Sequence, residues 1–418
     1  MKNIWIINHY AELPRNGVMT RHYNFAKQLV KEGYNVTVFT SSAIHNSNYN
    51  SINDASKYKI EEVEGAKFVH IKTINYIGNR IGRIRNILQF YFGMMKKGCK
   101  IKELERPNAI IGSSAHPLSA IAAIQLSKRY KCQSIVEIRD LWPESLVAYG
   151  IISEKNPLLR LLYEGEKWIY KNADKIVFTM EGGRDYITEH GWDIEQGGSI
   201  NINKVHHINN GVDLEVFNYN KEHYQFDDED LDNSNTFKIV YAGSIRKVNK
   251  LSILIEVAKE LEKENILFLI WGDGDEKEVL ANRCKNECIN NIIFKGHVDK
   301  KYIPSILSRA DINLIHGGYT SIMEYGMSAN KMFEYIAAQK PILSDLKTNY
   351  DIIKKYKLGL VIENQNYKDI CNGILELRNN SEENIAIINK NLIRALKEFT
   401  FEELTNKLIN LLNMEGEN

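Results

Sequence analysis

No sign of charge dominates this chain: Lys and Arg total 54 against 53 Asp and Glu, a net charge of +1 over 418 residues. Without a global field any electrostatic role must be local, which argues against a dedicated nucleic-acid binder. Cysteine is scarce. The five present, Cys99, Cys132, Cys284, Cys288 and Cys371, are odd in number and scattered, unlike the disulfide framework of a small secreted domain, and they fit a reducing compartment. Only Cys284 and Cys288 are close, and with no second Cys/His pair at ligand spacing they are expected to share one face of a helix rather than bind zinc. Long apolar runs are missing as well. The run from Ile4 to Ile7 is too short for a signal segment and reads as a strand, and nothing approaches the roughly 18 residues that cross a bilayer. What remains is 44% hydrophobic and 26% charged, the composition of a soluble globular chain, long enough for two or three domains.

Segments rich in β-branched residues alternate with longer helical patterns, the signature of an α/β fold with parallel sheets. Strands are expected at 4–7, 35–40, 109–112, 134–137 and 175–179, with helices at 21–32 and 118–129. A further helix carries Leu161, Leu162, Trp168 and Ile169. The pattern breaks between Val205 and Leu231, where Asn209-Asn210-Gly211 offers a turn and Asp227-Asp228-Glu229-Asp230 a solvated acidic run. It restarts with strands at 237–241, 267–271, 291–295 and 311–316 and helices at 251–263 and 331–338. The expectation is two doubly wound domains facing each other across a cleft: residues 1–215, a linker at 216–235, and residues 236–397. A last helix, about 398–418, can pack back on the first domain. Residues 41–57, polar and nearly free of aliphatics, suggest a mobile surface loop. Residues 79–102 hold Arg80, Arg83, Arg85, Lys96, Lys97, Lys100 and Lys102 with no acid around Phe90, Tyr91 and Phe92; this stretch suits either an anionic membrane or an ordinary solvated helix face.

Ligands of such sheets sit outside the carboxyl ends of the strands, so chemistry is sought there. The first strand lacks the GxGxxG of dinucleotide binders and runs instead into Asn8-His9-Tyr10 and a long loop ending at Gly17. There backbone amides near a helix start can meet an anion, with Arg21 one turn inside. His116 stands between a strand and a helix. Glu137, Arg139, Asp140 and Glu144 crowd the next strand end, beside Trp142. In the second half Tyr241-Ala242-Gly243-Ser244-Ile245-Arg246-Lys247 is a strand, a small-residue turn and two cations, suited to a diphosphate. Trp271-Gly272-Asp273-Gly274 repeats the strand-to-glycine turn. The strongest element is Ser328-Ala329-Asn330-Lys331-Met332-Phe333-Glu334-Tyr335. Here Ser328 is expected to cap a helix whose free amides hold phosphate, Lys331 adds charge, and Glu334 can accept from sugar hydroxyls.

Taken together these segments, with Arg139-Asp140-Leu141-Trp142-Pro143-Glu144-Ser145 and Asn210-Gly211-Val212-Asp213, resemble the family 4 glycosyltransferases of the GT-B fold, in particular bacterial O-antigen and capsule enzymes similar to L-fucosamine transferases. The resemblance spans nearly the whole chain. It implies that residues 1–215 bind the acceptor and 236–397 the nucleotide sugar. Gly17, Gly243, Arg246, Lys247, Gly272, Ser328, Ala329, Asn330, Lys331 and Glu334 then fall on the donor. Arg21 and Arg139 fall on the acceptor side, and His116, Asp140 and Glu144 take catalytic positions. Glu334 matches the second glutamate of the family's E-x7-E motif, whereas Gly326 stands in the first glutamate's place, with Glu324 two residues earlier.

The function so implied is a retaining hexosyltransferase, favouring an N-acetylated deoxyhexose. It moves this sugar from a UDP-sugar to a lipid-linked saccharide in bacterial surface polysaccharide synthesis. No cofactor and no metal are expected, and the place of work is cytoplasmic, peripheral to the inner face of the cell membrane. Two alternatives stand beside it: a UDP-sugar 2-epimerase, and a non-catalytic sugar-nucleotide-binding subunit, for which the Gly326 departure is the main support.

Overall fold

The computed structural model describes residues 2–15, 19–114 and 116–414. The chain divides into two compact units, Met1–Asn209 with Phe401–Asn418, and Asn210–Thr400.

In the first unit, β1 (Asn3–Ile7), β2 (Asn35–Ser41), β3 (Tyr58–Val63), β4 (Ala66–Ile71), β5 (Ala109–Ser114), β6 (Gln133–Ile138), β7 (Lys175–Phe178) and β8 (Val205–His207) form one sheet in the order β3-β4-β2-β1-β5-β6-β7-β8. All pairs are parallel except β3 with β4. Residues of β1, β5 and β6 are buried on both faces, so these strands read as near-continuous apolar runs instead of alternating ones. Pro117, whose fixed φ suits a first helical position, starts the helix Pro117–Tyr130. Asn79 accepts from the amides of Ile81 and Gly82 to start the helix Arg80–Lys96. The last helix, Phe401–Asn413, belongs to this unit: Phe401 meets Phe25 edge-on at 5.5 Å, and Leu404, Leu408 and Leu411 are buried beside Ile4 and Ile6. Each such burial contributes about 1.5–3 kcal/mol, which fixes the returning chain.

In the second unit β9 (Phe237–Ala242), β10 (Ile266–Trp271), β11 (Ile292–Gly296), β12 (Ile312–Ile315), β13 (Ile342–Ser344) and β14 (Gly359–Val361) form a parallel sheet in the order β11-β10-β9-β12-β13-β14. The helix Asn330–Ala338 is clamped to the end of β9, where the Ala242 amide donates to the Tyr335 hydroxyl at 2.9 Å.

Four expectations change. Residues 216–235 are not a free linker. Phe217 of the helix Leu214–His223 and Leu231 are buried in the second unit's core, and the acidic run grips cations: Asp228 and Asp230 hold Lys295 at 2.7 and 2.6 Å, and Asp232 pairs with Arg309. The polar segment at 41–57 is tied down by its own amides, with Asn50 donating to the Thr73 carbonyl and to Asn75, and Ser51 to the Ser42 carbonyl. Cys284 is buried in the helix Lys277–Asn286, whereas Cys288 lies past its end and is exposed, so the two share no helix face. On the helix Arg80–Lys96, Phe90 faces the core and Tyr91 bonds Gln125. The exposed apolar stripe is Ile81, Ile84, Leu88 and Phe92, at helical spacing.

Candidate functional site

Each sheet has one point at which its strand order reverses, between β1 and β5 in the first unit and between β9 and β12 in the second. Loops diverge there and leave a crevice at the carboxyl ends. Both switch points carry charged and polar groups.

At the first, His9 follows β1 and His116 follows β5. Their rings meet, His116 Nε2 to His9 Nδ1, at 2.9 Å, and both are buried. Burial, together with the nearby Arg83 charge, pushes the His116 pKa down to about 3, and burial with the His116 charge lowers that of His9, so both rings are neutral at physiological pH. Asp140 lies at the adjacent strand end and is exposed. Desolvation raises its pKa, opposed by the Arg139 and Arg83 charges. Arg139 is half-buried, its amide donating to Ser114 Oγ at 3.3 Å.

Two expected site residues are otherwise engaged. The Arg21 guanidinium is buried, gives Nε and Nη2 to Glu137 Oε2 at 3.0 and 2.8 Å, and also donates to the carbonyls of Ile208 and Asn209. His22 and Ser113 complete the Glu137 carboxylate at 3.0 and 2.8 Å. Arg21 is therefore a buried tie joining β6 to the last residues of the first unit, and its donors are not offered to an acceptor. Glu144 opens the short helix Glu144–Ala148, and its carboxylate accepts from the Tyr163 hydroxyl. Gly17 lies outside the described residues.

At the second switch point the turn after β9 carries Gly243, then exposed Arg246 and Lys247. Lys331 lies against it. As a residue it is half-buried, but its ammonium stands 4.4 Å over the Tyr241 ring, and a Cβ on Gly243 would come within 3.2 Å of it. Desolvation lowers the Lys331 pKa to about 8, opposed by the Asp345 carboxylate. Asp345, fully buried after β13, bonds His316 Nδ1 at 2.5 Å, and His316 Nε2 is 3.1 Å from the Lys250 carbonyl. Gly272 has φ +145°, and any Cβ there would sit 1.7 Å from the Gly243 carbonyl oxygen. This glycine lets the turns after β9 and β10 touch.

Ser328 does not cap the helix. Ala329 takes the N-cap position, and Ser328 Oγ accepts the Asn210 amide at 2.9 Å, while the Asn210 side chain donates to Asn330. Glu334 is partly buried and pairs with Lys300 at 3.3 Å. Gly326 has φ +104°, a backbone that strains any L side chain, so a glutamate does not fit there. Nearby Glu324 accepts from the Tyr319 hydroxyl at 2.7 Å.

Sequence reasoning missed His9, His316 and Asp345. Each lies within two residues of a strand's carboxyl end, the signal that singled out His116. A cavity of about 380 Å³ between β8 and the last helix is lined by Phe178, Arg184, His206 and Lys407, away from both switch points. Its Arg184 is engaged on the Val205 carbonyl, so cavity size is no guide to the chemistry here. Among the described residues no group of His, Cys, Asp and Glu could hold a metal, and no helix is long and apolar enough to cross a membrane.

Residues 225–393 match the family of group 1 glycosyl transferases, and residues 16–196 match the glycosyl transferase 4-like domain. The chain belongs to the family 4-like glycosyltransferases of the GT-B fold. It is 25% identical over 261 residues to the poly(ribitol-phosphate) alpha-N-acetylglucosaminyltransferase of Staphylococcus aureus (strain COL), covering 60% of this chain and 46% of that one. The chain spans about half the length of the curated relatives it matches. Its fold is also that of sucrose-phosphate synthase from Thermosynechococcus elongatus (TM-score 0.71, 16% identity, 98% of each chain). The same holds for Anabaena Alr3699/HepE in complex with UDP and glucose (TM-score 0.62, 11% identity, 99% of each chain).

Proposed function

We propose that the protein is a retaining glycosyltransferase that moves a hexosyl group, an N-acetylated deoxyhexose in the first instance, from a UDP-sugar to a lipid-linked saccharide of a bacterial surface polysaccharide. The observation that carries the donor half is the second switch point. A glycine turn with the Lys331 ammonium against it, followed by exposed Arg246 and Lys247, lies beside the start of the helix Asn330–Ala338, a donor set suited to a diphosphate. That a protein of the same fold holds UDP supports this reading. The S. aureus relative acts on poly(ribitol-phosphate), and its likeness supports a surface-polymer acceptor.

In the proposed reaction the bond from the sugar's anomeric carbon to the β-phosphate oxygen breaks while the acceptor hydroxyl attacks from the same face. A leaving phosphate oxygen takes the hydroxyl proton, and UDP departs. Cations and helix amides balance the growing diphosphate charge, the term that is commonly largest in such catalysis. His116 and Asp140 serve the sugar, His116 through a hydrogen bond and Asp140 by opposing positive charge at the anomeric carbon; Glu334 serves the ribose hydroxyls. The φ at Gly326 gives the missing glutamate a backbone cause. Incubation with a panel of UDP-sugars, with and without lipid-linked acceptor, separates the alternatives. Acceptor-dependent UDP release is expected, a new epimer without acceptor indicates the epimerase, and binding alone the non-catalytic subunit.

A lipid-linked acceptor places the first unit on the inner face of the cell membrane. On the helix Arg80–Lys96 the exposed stripe Ile81, Ile84, Leu88 and Phe92 is flanked by Arg80, Arg85 and Lys96. The helix Pro117–Tyr130 lies beside it through the Tyr91–Gln125 bond and presents exposed Lys128 and Arg129. Beyond it the helix Pro157–Asn172 exposes Leu158, Leu161 and Trp168, joined by the Lys128–Asn172 bond at 2.8 Å. Basic groups near an anionic surface contribute about 1 kcal/mol each. Replacing Arg80, Arg83, Arg85, Lys96 and Lys97 by Gln should abolish sedimentation with anionic liposomes while leaving UDP affinity intact. Failure of the unaltered protein to sediment at low salt would refute the membrane reading.

A further inference from the structure

We infer that His316 and Asp345 are positioning residues that hold the turn Lys247–Asn249 from behind, so that Arg246 and Lys247 are presented at one fixed place. The functional half of the inference rests on the proposed reading of those two cations as diphosphate ligands; the hold itself does not.

The segment after β9 is gripped on both flanks and free only between them. On the near flank the loop after β10 takes hold: the Ile245 amide donates to the Asp273 carbonyl at 2.9 Å, and the Ile245 carbonyl accepts from the Glu276 amide at 3.1 Å. A Cβ on Gly274 would lie 2.1 Å from that carbonyl oxygen, so only glycine allows the approach. The loop after β12 grips the far flank. There the Gly318 amide donates to the Val248 carbonyl at 2.9 Å, a Cβ on Gly318 would lie 2.3 Å from the same oxygen, and His316 Nε2 meets the Lys250 carbonyl at 3.1 Å. Between the grips stand Arg246 and Lys247. Both are exposed, and among the described residues neither is paired with a carboxylate. Cations fixed by their backbone and left open at their side chains are prepared for an anion, in contrast to Lys295, which Asp228 and Asp230 already neutralise.

Lys250 closes the turn with φ +52°, a left-handed backbone uncommon for a residue with a side chain, and it keeps that conformation only with outside support. His316 supplies it. A carbonyl oxygen can only accept, so the hydrogen of the Lys250 contact belongs to Nε2. The ring is enclosed, and Asp345 fixes its other edge, with a carboxylate oxygen 2.5 Å from Nδ1. A partner at each ring nitrogen leaves the imidazole one orientation. Asp345, just after β13, is itself tied to β12, its amide donating to the Ile315 carbonyl at 3.2 Å. Support therefore runs from β13 through β12 to the turn after β9, three neighbouring strands of one sheet.

The test uses the full chain. His316→Phe combined with Asp345→Leu removes both partners and leaves no buried charge unpaired, so this double variant is expected to fold. Without ligand, hydrogen exchange read by mass spectrometry should quicken about tenfold or more in peptides covering 247–250 and 317–319, while β6 of the first unit stays unchanged. UDP affinity, measured by calorimetry, should fall about tenfold, the lower end of what a charge-assisted hydrogen bond contributes. In a chain already carrying Arg246→Met and Lys247→Met, the same two substitutions should cost less than about twofold, because nothing is left to position. His316→Gln alone, whose amide nitrogen can still reach the Lys250 carbonyl, should keep exchange slow and restore most of the affinity; His316→Asn, too short to reach it, should not. Unchanged exchange of the turn in the folded double variant would overturn the proposal. So would a loss of UDP affinity that persists undiminished without Arg246 and Lys247, since it would act through Lys331, the other cation that the Asp345 charge influences. Should the double variant fail to fold, equal exchange in His316→Gln and His316→Asn overturns it instead. Absence of UDP binding by the unaltered protein would refute the donor reading, and the exchange result would still decide the hold.

Discussion

UDP affinity should fall as the pH rises above 8. The unliganded Lys331 ammonium, desolvated over the Tyr241 ring, titrates at about 8, and a bound diphosphate favours its protonated form. Binding above pH 8 must therefore take up a proton, and affinity declines by up to about tenfold per pH unit until the bound form itself titrates. Replacing Lys331 by Met should remove this slope. It should also weaken UDP binding at pH 7 by roughly 10- to 150-fold, the equivalent of the 1.5–3 kcal/mol typical of a charge-assisted hydrogen bond. Calorimetry in two buffers of different ionisation enthalpy measures affinity and proton uptake together. A steep pH dependence that persists in Lys331→Met would assign the titration elsewhere.

The second large effect concerns stability. Burial raises the Glu137 pKa, but the Arg21 charge and then that of His22 outweigh it, and the carboxylate is held well below the ordinary range. Arg21→Met leaves that carboxylate buried with no guanidinium. Breaking a buried pair from one side costs about 3–5 kcal/mol, and urea unfolding of the full chain should show a loss of this order. Combining Arg21→Met with Glu137→Gln should recover part of it, because the introduced amide oxygen still accepts from Ser113 without carrying a charge. The sign with pH follows from the depressed folded pKa: the Glu137 contribution is fully present above the unfolded value of about 4.3 and is lost as pH falls through the native one. A cost near zero for Arg21→Met would return Arg21 to the list of ligand-facing groups.

Much of the architecture is legible in the sequence because parallel strands are buried on both faces. Ile4-Trp5-Ile6-Ile7, the run at 237–241 and Leu267 to Trp271 leave no doubt of period or type. Short or edge elements escape that logic. β3 is largely solvent-facing, and β13 and β14 have three residues each, too few for a pattern. The segment at 216–235 reads as a linker because Asp227 to Asp230 carries the composition of a solvated run, and only the fold reveals that Lys295 and Arg309 wait for it. Within the candidate site the one-dimensional signals fall together in the fold: the glycine turn followed by cations ends β9, and the helix Asn330–Ala338 packs against the same strand end. Whether a charge is free to meet a ligand is not a local property. Arg21 and Glu137 lie 116 positions apart and neutralise each other, and Ser328 is engaged by Asn210 across 118 positions.

We propose transfer with retention, balanced by protein cations. The most direct measurement mixes the full chain with an accepted UDP-sugar and its lipid-linked acceptor in excess EDTA, and follows UDP release together with the anomeric proton coupling of the product. One UDP released per glycoside formed, an undiminished rate in EDTA and an anomeric configuration equal to that of the donor are expected. Turnover that stops in EDTA and returns with Mg²⁺ or Mn²⁺, or a product of inverted configuration, would contradict it.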